Sequence, residues 1–204
     1  MKIYEFNGFP GPRRVRIFLA EKGIKGIDFQ QVNVPEGEHR KSAYLAKNLY
    51  GTVPTLKLED GTHISESMAI CRYFDERYPE VPLMGKTPKE KAEIEMWQRR
   101  VEQTMYDTIA TYFHHGTPGL GDLEVYQNDA WGKKNKEWFE VALRRLDTHL
   151  EGRDFFVTDL FSVVDITALC AIGYGEFCDL KIPPELKNLT RWYTTVSARP
   201  SAAA

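Results

Sequence analysis

The segment Pro79-Glu80-Val81-Pro82-Leu83-Met84-Gly85-Lys86-Thr87-Pro88 divides this chain into two stretches with different hydrophobic periods. Three prolines and a glycine within ten residues suit neither a helix interior nor a strand ladder, so the segment reads as a linker. Before it, strand and helix patterns alternate; after it, the strand signals stop. The chain is therefore expected to hold an α/β domain over residues 1–80, a linker at 81–87 and an all-α domain over 88–204. Its 204 residues suffice for two small cores.

In the first stretch, residues 2–6 alternate like a strand. Asn7-Gly8-Phe9-Pro10-Gly11-Pro12 is turn material, with Pro12 placed as a first helical residue. Val15, Phe18 and Leu19 recur at helical spacing up to Gly23, a natural C-cap. Residues 27–34 read as a second strand, parallel to the first because a helix lies between them. Residues 36–48 are an irregular, partly helical connection. Residues 55–59, the Asp60-Gly61 turn and His63-Ile64 read as a β-hairpin, and residues 68–78 as a closing helix.

In the second stretch, residues 89–115 and 124–150 each show a long helical pattern, with Gly116-Thr117-Pro118-Gly119-Leu120-Gly121 as a loop between them. Ser162-Val163-Val164-Asp165 is a capping-box start, with Phe161 and Ile166 as a staple. The mostly apolar run 166–177 predicts a buried central helix. A short final helix is expected over 185–196.

Charge and composition exclude several classes. A formal net charge of −2, with Lys and Arg spread throughout, argues against a nucleic-acid or anionic-membrane surface. No apolar run approaches the roughly 18–20 residues of a membrane span. The first residues read as a strand and carry no signal-peptide pattern. Cys71, Cys170 and Cys178 form no CxxC and no metal spacing, and read as reduced thiols of a cytoplasmic protein.

Two short motifs carry chemistry. In Gly51-Thr52-Val53-Pro54-Thr55-Leu56, Pro54 must start a strand or hold a special turn. A cis bond there would leave the Val53 backbone free to pair with a peptide-like ligand. Ser65-Glu66-Ser67 opens a helix, whose N-terminal amides suit a carboxylate while Glu66 suits an ammonium. Together they fit a small γ-linked or α-amino peptide; singly, each is also an ordinary turn or N-cap.

These pieces together resemble the cytosolic glutathione transferases over essentially the whole chain. The matching motifs are Val53-Pro54, Ser65-Glu66-Ser67 and Ser162-x-x-Asp165. Arg14-Val15-Arg16-Ile17-Phe18-Leu19-Ala20-Glu21-Lys22, Gly37-Glu38-His39-Arg40-Lys41, Leu45-Ala46-Lys47-Asn48, Tyr112-Phe113-His114-His115 and Thr117-Pro118-Gly119-Leu120-Gly121 look closer still to an atypical yeast and bacterial subgroup. The resemblance implies a thioredoxin-like N-terminal domain, an all-helical C-terminal domain, and transfer of the glutathione thiolate to a small electrophile. Glutathione would be a co-substrate, no metal is implied, and a homodimer is expected. Val53, with Pro54 cis, would pair with the cysteinyl unit. Glu66 and Ser67 would hold the γ-glutamyl end. His39, and more weakly Lys41, would take the glycyl end. A solvated loop face is the alternative for His39-Arg40-Lys41.

The chain departs from the family pattern where the thiol is activated. The usual hydroxyl position falls on Phe9, and Pro10, Gly11 and Pro12 offer no side-chain donor. In the subgroup the resemblance points to a water held by a Ser and a His one turn apart. Here the His matches His114 but the Ser position is Ala110. The candidates are His114, a shifted Thr111–His115 pair, and the Gly11 amide at the first helix start. His114 and His115 could equally be helix-end residues that complement the dipole. Phe9, Tyr106 and Phe113 are the expected electrophile pocket, while Arg13, Arg14 and Arg16 read as a solvated or interdomain face. A glutathione-binding regulatory protein with little turnover and a glutathione-dependent peroxidase remain as alternative functions.

Overall fold

The computed structural model describes residues 1–120, 123–157 and 159–204. They divide into two compact units, Met1–Pro82 with Ala203–Ala204, and Leu83–Ala202.

The first unit is built on a four-stranded sheet of order β2-β1-β3-β4. β1 (Lys2–Glu5) leads through α1 (Pro10–Glu21) to β2 (Asp28–Gln31), which pairs parallel to β1 with Ile3 beside Phe29. After a short helix, α2 (Ser42–Leu45), the hairpin β3 (Thr55–Lys57) and β4 (His63–Ser65) pairs antiparallel, with Leu56 beside Ile3 and Ile64. α3 (Ser67–Arg77) closes the unit. Strand alternation sorts the side chains. Ile3 and Leu56 are sealed on one face, where α1 and α3 supply Val15, Phe18, Ile70 and Phe74. Tyr4 lies on the other face and packs with Val32, Tyr44 and Val53.

α1 begins two residues earlier than the sequence suggests. Pro10 is its first residue and Phe9 its extended N-cap, with φ −70° and ψ 144°. The residue before a proline avoids helical ψ, so the boundary falls before Pro10 rather than at Pro12. β2 is shorter than the expected 27–34 because only Asp28–Gln31 finds ladder partners on β1. α3 starts at Ser67, one residue before the expected start.

The second unit is helical. Thr87 caps α4 (Pro88–Val101) through a full capping box with Glu90. A π-turn over Glu102–Tyr106 separates α4 from α5 (Asp107–Gly116), so the long pattern is not one uniform helix. α6 (Asp129–His149) begins five residues later than expected. The Asn128 side chain accepts a hydrogen bond from the Trp131 amide and caps it there, so residues 124–128 are not helical. Gly132 sits where a Cβ would lie 2.8 Å from the Gly116 nitrogen, which fixes the close approach of α6 to the last turn of α5. α7 (Val163–Phe177) is the buried centre, and α8 (Lys187–Ser197) follows.

The capping box predicted for α7 is present, and Asp165 does more than cap. Its carboxylate is fully buried and accepts from Ser162 N (3.0 Å), Phe156 N (3.2 Å) and Trp192 Nε1 (2.8 Å). Burial pushes its pKa up to about 6 against those hydrogen bonds. Among the described residues no helix is long and apolar enough to cross a membrane.

Candidate functional site

The sheet register assembles the first part of the site. Thr55 faces Tyr4 on one side and Ser65 on the other. The ladder ends at that Thr55–Ser65 pair, so Val53-Pro54 enters the hairpin and Glu66-Ser67 leaves it at the same end. Both pairs lie at the carboxyl end of β1, where α1 begins. Val53-Pro54 is cis. Val53 finds no backbone hydrogen-bond partner among the described residues, so its amide and carbonyl are available to a ligand.

The loop before Val53 is held rigidly. Tyr44 Oη donates to the Thr52 carbonyl at 2.7 Å and lies 3.0 Å from Thr55 Oγ1. Asn48 Nδ2 donates to the same carbonyl at 2.8 Å, and its Oδ1 accepts from the Tyr50 amide. Gly51, at φ +60°, lies where a Cβ would approach the His39 carbonyl at 3.0 Å. That approach brings the His39 backbone against the loop.

His39 is not on a solvated face: it is only 8 % exposed, and its Nδ1 is buried without a hydrogen-bond partner. Burial and the neighbouring Arg40 hold its pKa below the usual imidazole value, so the ring is neutral at pH 7. A neutral ring with an unpaired nitrogen is suited to a ligand hydrogen bond. Lys41 is exposed, and its carbonyl accepts from the Tyr44 and Leu45 amides.

Glu66 is the N-cap of α3 and is exposed, with the unusual backbone angles φ 66° and ψ 115°. A non-glycine residue there is strained, and the bend turns its carboxylate out beside a helix N-terminus. Ser67 Oγ accepts a 2.9 Å hydrogen bond from Arg14 Nη1. Arg14 is 2 % exposed, and Arg16 grips the fully buried Glu5 in a two-pronged ion pair. Of the solvated or interdomain face expected for Arg13, Arg14 and Arg16, the solvated alternative therefore fails for Arg14 and Arg16. The signal was in the strand: Glu5 shares the inward parity of Ile3, so it required a buried cation. Arg14 adjoins the apolar Val15 stripe.

The start of α1 is nearly bare of donors. Phe9 is 37 % exposed and stacks edge-on against Phe6. Pro10 and Pro12 have no N–H, and the Arg13 amide is bonded to the Phe9 carbonyl. Within the first three helical positions, only Gly11 carries an amide, and it points along the positive end of the dipole.

The remaining candidates lie in the second unit. His114 Nδ1 lies 2.5 Å from Glu124 Oε1. Phe113 packs against Tyr174 and Phe177 at 5.4 and 5.9 Å. Burial, with Cys178, Tyr106 and Glu124 nearby, pushes the Tyr174 hydroxyl far above its usual pKa. Tyr106, Phe113 and the His114–Glu124 pair thus border one aromatic cluster. Thr111 and His115 are otherwise engaged. Thr111 Oγ1 donates to the Asp107 carbonyl at 2.7 Å, and His115 Nδ1 accepts from the Asn128 amide at 3.2 Å. Sequence reasoning missed Glu124, which it placed in a helix; Gly121 of the same connection lies outside the described residues. No group of three or more His, Cys, Asp or Glu side chains among the described residues could hold a metal ion.

The comparisons with known proteins agree with this architecture. Residues 10–77 match the glutathione S-transferase N-terminal domain family, and residues 103–200 match the glutathione S-transferase C-terminal domain family. The chain is 41 % identical over 203 residues to glutathione S-transferase 2 of Saccharomyces cerevisiae, covering 98 % of this chain and 87 % of that protein. The crystal structure of a glutathione S-transferase domain-containing protein from Marinobacter aquaeolei is 44 % identical, with a TM-score of 0.95 over 98 % of this chain and 99 % of that one. A glutathione S-transferase from Methylobacillus flagellatus, solved with glutathione bound, is 28 % identical, with a TM-score of 0.83 over 98 % of this chain and 96 % of that one. This chain belongs to the glutathione S-transferase family.

Proposed function

We propose that this protein binds glutathione in its first unit and transfers the thiolate to an electrophilic small molecule, activating the thiol without a Tyr, Ser or Cys of the first helix. The observation that carries the binding is the hairpin register: Val53, whose backbone has no hydrogen-bond partner among the described residues, and the N-terminus of α3 both lie at the Thr55–Ser65 end of the ladder. Val53 pairs with the cysteinyl backbone. Glu66 and the α3 amides hold the γ-glutamyl ammonium and carboxylate. The His39 ring donates to the glycyl end, with Lys41 as a longer-range cation. Glutathione is the co-substrate. The relative solved with glutathione bound supports this reading.

For the thiol, His114 is favoured over Thr111 with His115: the Thr111 hydroxyl hydrogen goes to the Asp107 carbonyl, and His115 Nδ1 accepts the Asn128 amide, so a neutral His115 ring carries its hydrogen on Nε2 and has no second acceptor there. The Gly11 amide adds dipole stabilisation to the thiolate. Tyr106, Phe113 and Phe9 supply apolar surface to the electrophile. In the conjugation the thiol proton passes to His114, by way of a water, and then to solvent. The sulfur–carbon bond forms as the leaving group departs. The chain works as a cytoplasmic homodimer in this reading; its free, unbridged cysteines are consistent with a reducing compartment.

The bare start of α1 favours a second reading, a glutathione-binding protein with little turnover. Calorimetric titration with glutathione, together with turnover of an aromatic halide and of a hydroperoxide, decides between them. Conjugation of the halide is the expected result. Binding without turnover selects the second reading, and reduction of the hydroperoxide alone selects a peroxidase. No glutathione binding removes both the transferase and the binding-protein readings.

A further inference from the structure

We infer that Glu124 is a positioning residue for thiol activation: its carboxylate fixes the His114 ring so that Nε2 is presented as the proton acceptor. The inference rests on the reading of His114 given above and adds a residue to it. A carboxylate can only accept, so the hydrogen on the 2.5 Å contact belongs to His114 Nδ1. A neutral imidazole with Nδ1–H must carry its lone pair on Nε2. Nε2 has no hydrogen-bond partner among the described residues, and the side chain is 48 % exposed, so that nitrogen is open to a water or a thiol. The Glu124 side chain is half as exposed, at 24 %.

The surroundings hold the pair in place from both sides. Gln127 Nε2 donates to the His114 carbonyl at 2.9 Å and to the Thr117 carbonyl at 2.7 Å. The connection that carries Glu124 is thereby tied to the end of α5. His115 accepts the Asn128 amide, which ties the far end of the same connection. On the other side, Phe113 meets the His114 ring edge-on at 5.2 Å. Among the described residues Tyr106, Tyr174 and Cys178 face this cluster, with Asp179 acting on Cys178, and burial raises the pKa of both the Tyr174 hydroxyl and the Cys178 thiol. When Nε2 takes the thiol proton, the resulting imidazolium faces the Glu124 carboxylate through a hydrogen bond already formed, with no reorganisation. The proton then leaves to solvent.

The test uses Glu124→Gln, Glu124→Asp, His114→Ala and the double variant His114→Ala/Glu124→Gln. Two readouts are combined: steady-state kinetics, and 15N imidazole shifts, which report the tautomer directly. Glu124→Gln is expected to lower kcat by about 10- to 100-fold with an unchanged glutathione KM, as for other outer-shell partners of a working histidine. Glu124→Asp is expected to recover most of that loss. In the His114→Ala background, Glu124→Gln should change kcat by less than about twofold. The His114 signals should shift from the Nδ1–H tautomer toward Nε2–H in Glu124→Gln. An unchanged tautomer, or an equal kinetic loss in the His114→Ala background, overturns the role of Glu124 while leaving His114 in place. Wild-type turnover in His114→Ala removes the thiol-activation reading itself, and the role of Glu124 with it.

Discussion

Arg14 Nη1 donates to Ser67 Oγ at 2.9 Å and so ties the first turns of α1 and α3 to one another across 53 residues of chain. Ser67 consequently has two duties, one toward a buried guanidinium and one toward the proposed ligand. Ser67→Ala should therefore cost both stability and affinity. Loss of a charge-assisted acceptor is worth roughly 1–3 kcal/mol, read as a lower Tm in calorimetry. Glu66→Ala, by contrast, removes an exposed carboxylate and should leave stability within about 0.5 kcal/mol of wild type. Glutathione affinity should fall about 10- to 150-fold in each. Undiminished binding in both variants would remove the γ-glutamyl assignment.

Glu66→Gly separates the backbone of that position from its charge. The residue adopts φ 66° without being glycine, a conformation that costs roughly 1 kcal/mol or more. Glycine should relieve this, offset in part by its freedom in the unfolded chain. The expected result is a Tm at or above that of Glu66→Ala, with the same loss of glutathione affinity. A Tm clearly below that of Glu66→Ala would mean that the bend is not strained.

The parts of this fold that the sequence made readable are those in which pattern and local chemistry agree. The hairpin was signalled by Asp60-Gly61 between alternating runs, and α7 by Ser162 and Asp165 ahead of an apolar run. The parts that stayed hidden depend on partners distant in sequence or on backbone geometry without a residue signature. Nothing in Glu102–Tyr106 announces a π-turn, and Glu is not a residue type that signals positive φ. Arg14 and Arg16 read as surface charge because their partners, Ser67 and Glu5, are supplied by other elements. Asn128 was a visible stop signal for the pattern that began at Glu124. Taking it as the cap would have placed Glu124 in the connection, within reach of His114.

Asp165 makes the pH dependence of stability unusual. Its folded pKa, near 6, lies above the ordinary carboxylate value of 3.8. Between those values the folded state holds more protons than the unfolded one, so this group lowers stability as pH rises through about 4 to 6. Its unfavourable contribution is complete above pH 6 and is on the order of 3 kcal/mol. Asp165→Asn cannot titrate and should abolish that component, although it loses acceptors and is less stable overall. The measurement is urea unfolding of both proteins from pH 4 to pH 7. The wild-type advantage over Asp165→Asn should shrink as pH rises across this window. A constant or growing advantage would show that the buried carboxylate is already ionised at pH 4.

Thiol activation is tested most directly at Phe9 and His114. Phe9 is the extended N-cap of α1 and offers no donor, so Phe9→Ser should not lower turnover by removing one. A serine there adds a hydroxyl beside the Gly11 amide, and turnover is expected to hold or rise. His114→Ala should reduce kcat by about 10²- to 10⁴-fold, the range for loss of a general base, with glutathione Kd nearly unchanged. His115→Ala is expected to act on stability instead, because its Nδ1 accepts the Asn128 amide at the head of α6. The ultraviolet thiolate band of bound glutathione, followed against pH, supplies the second readout. In His114→Ala the band should appear at higher pH than in wild type, and in His115→Ala it should not move. If His115→Ala moves the band and His114→Ala does not, the role belongs to Thr111 and His115. If neither moves it, the first-helix amide of Gly11 is the remaining candidate to stabilise the thiolate.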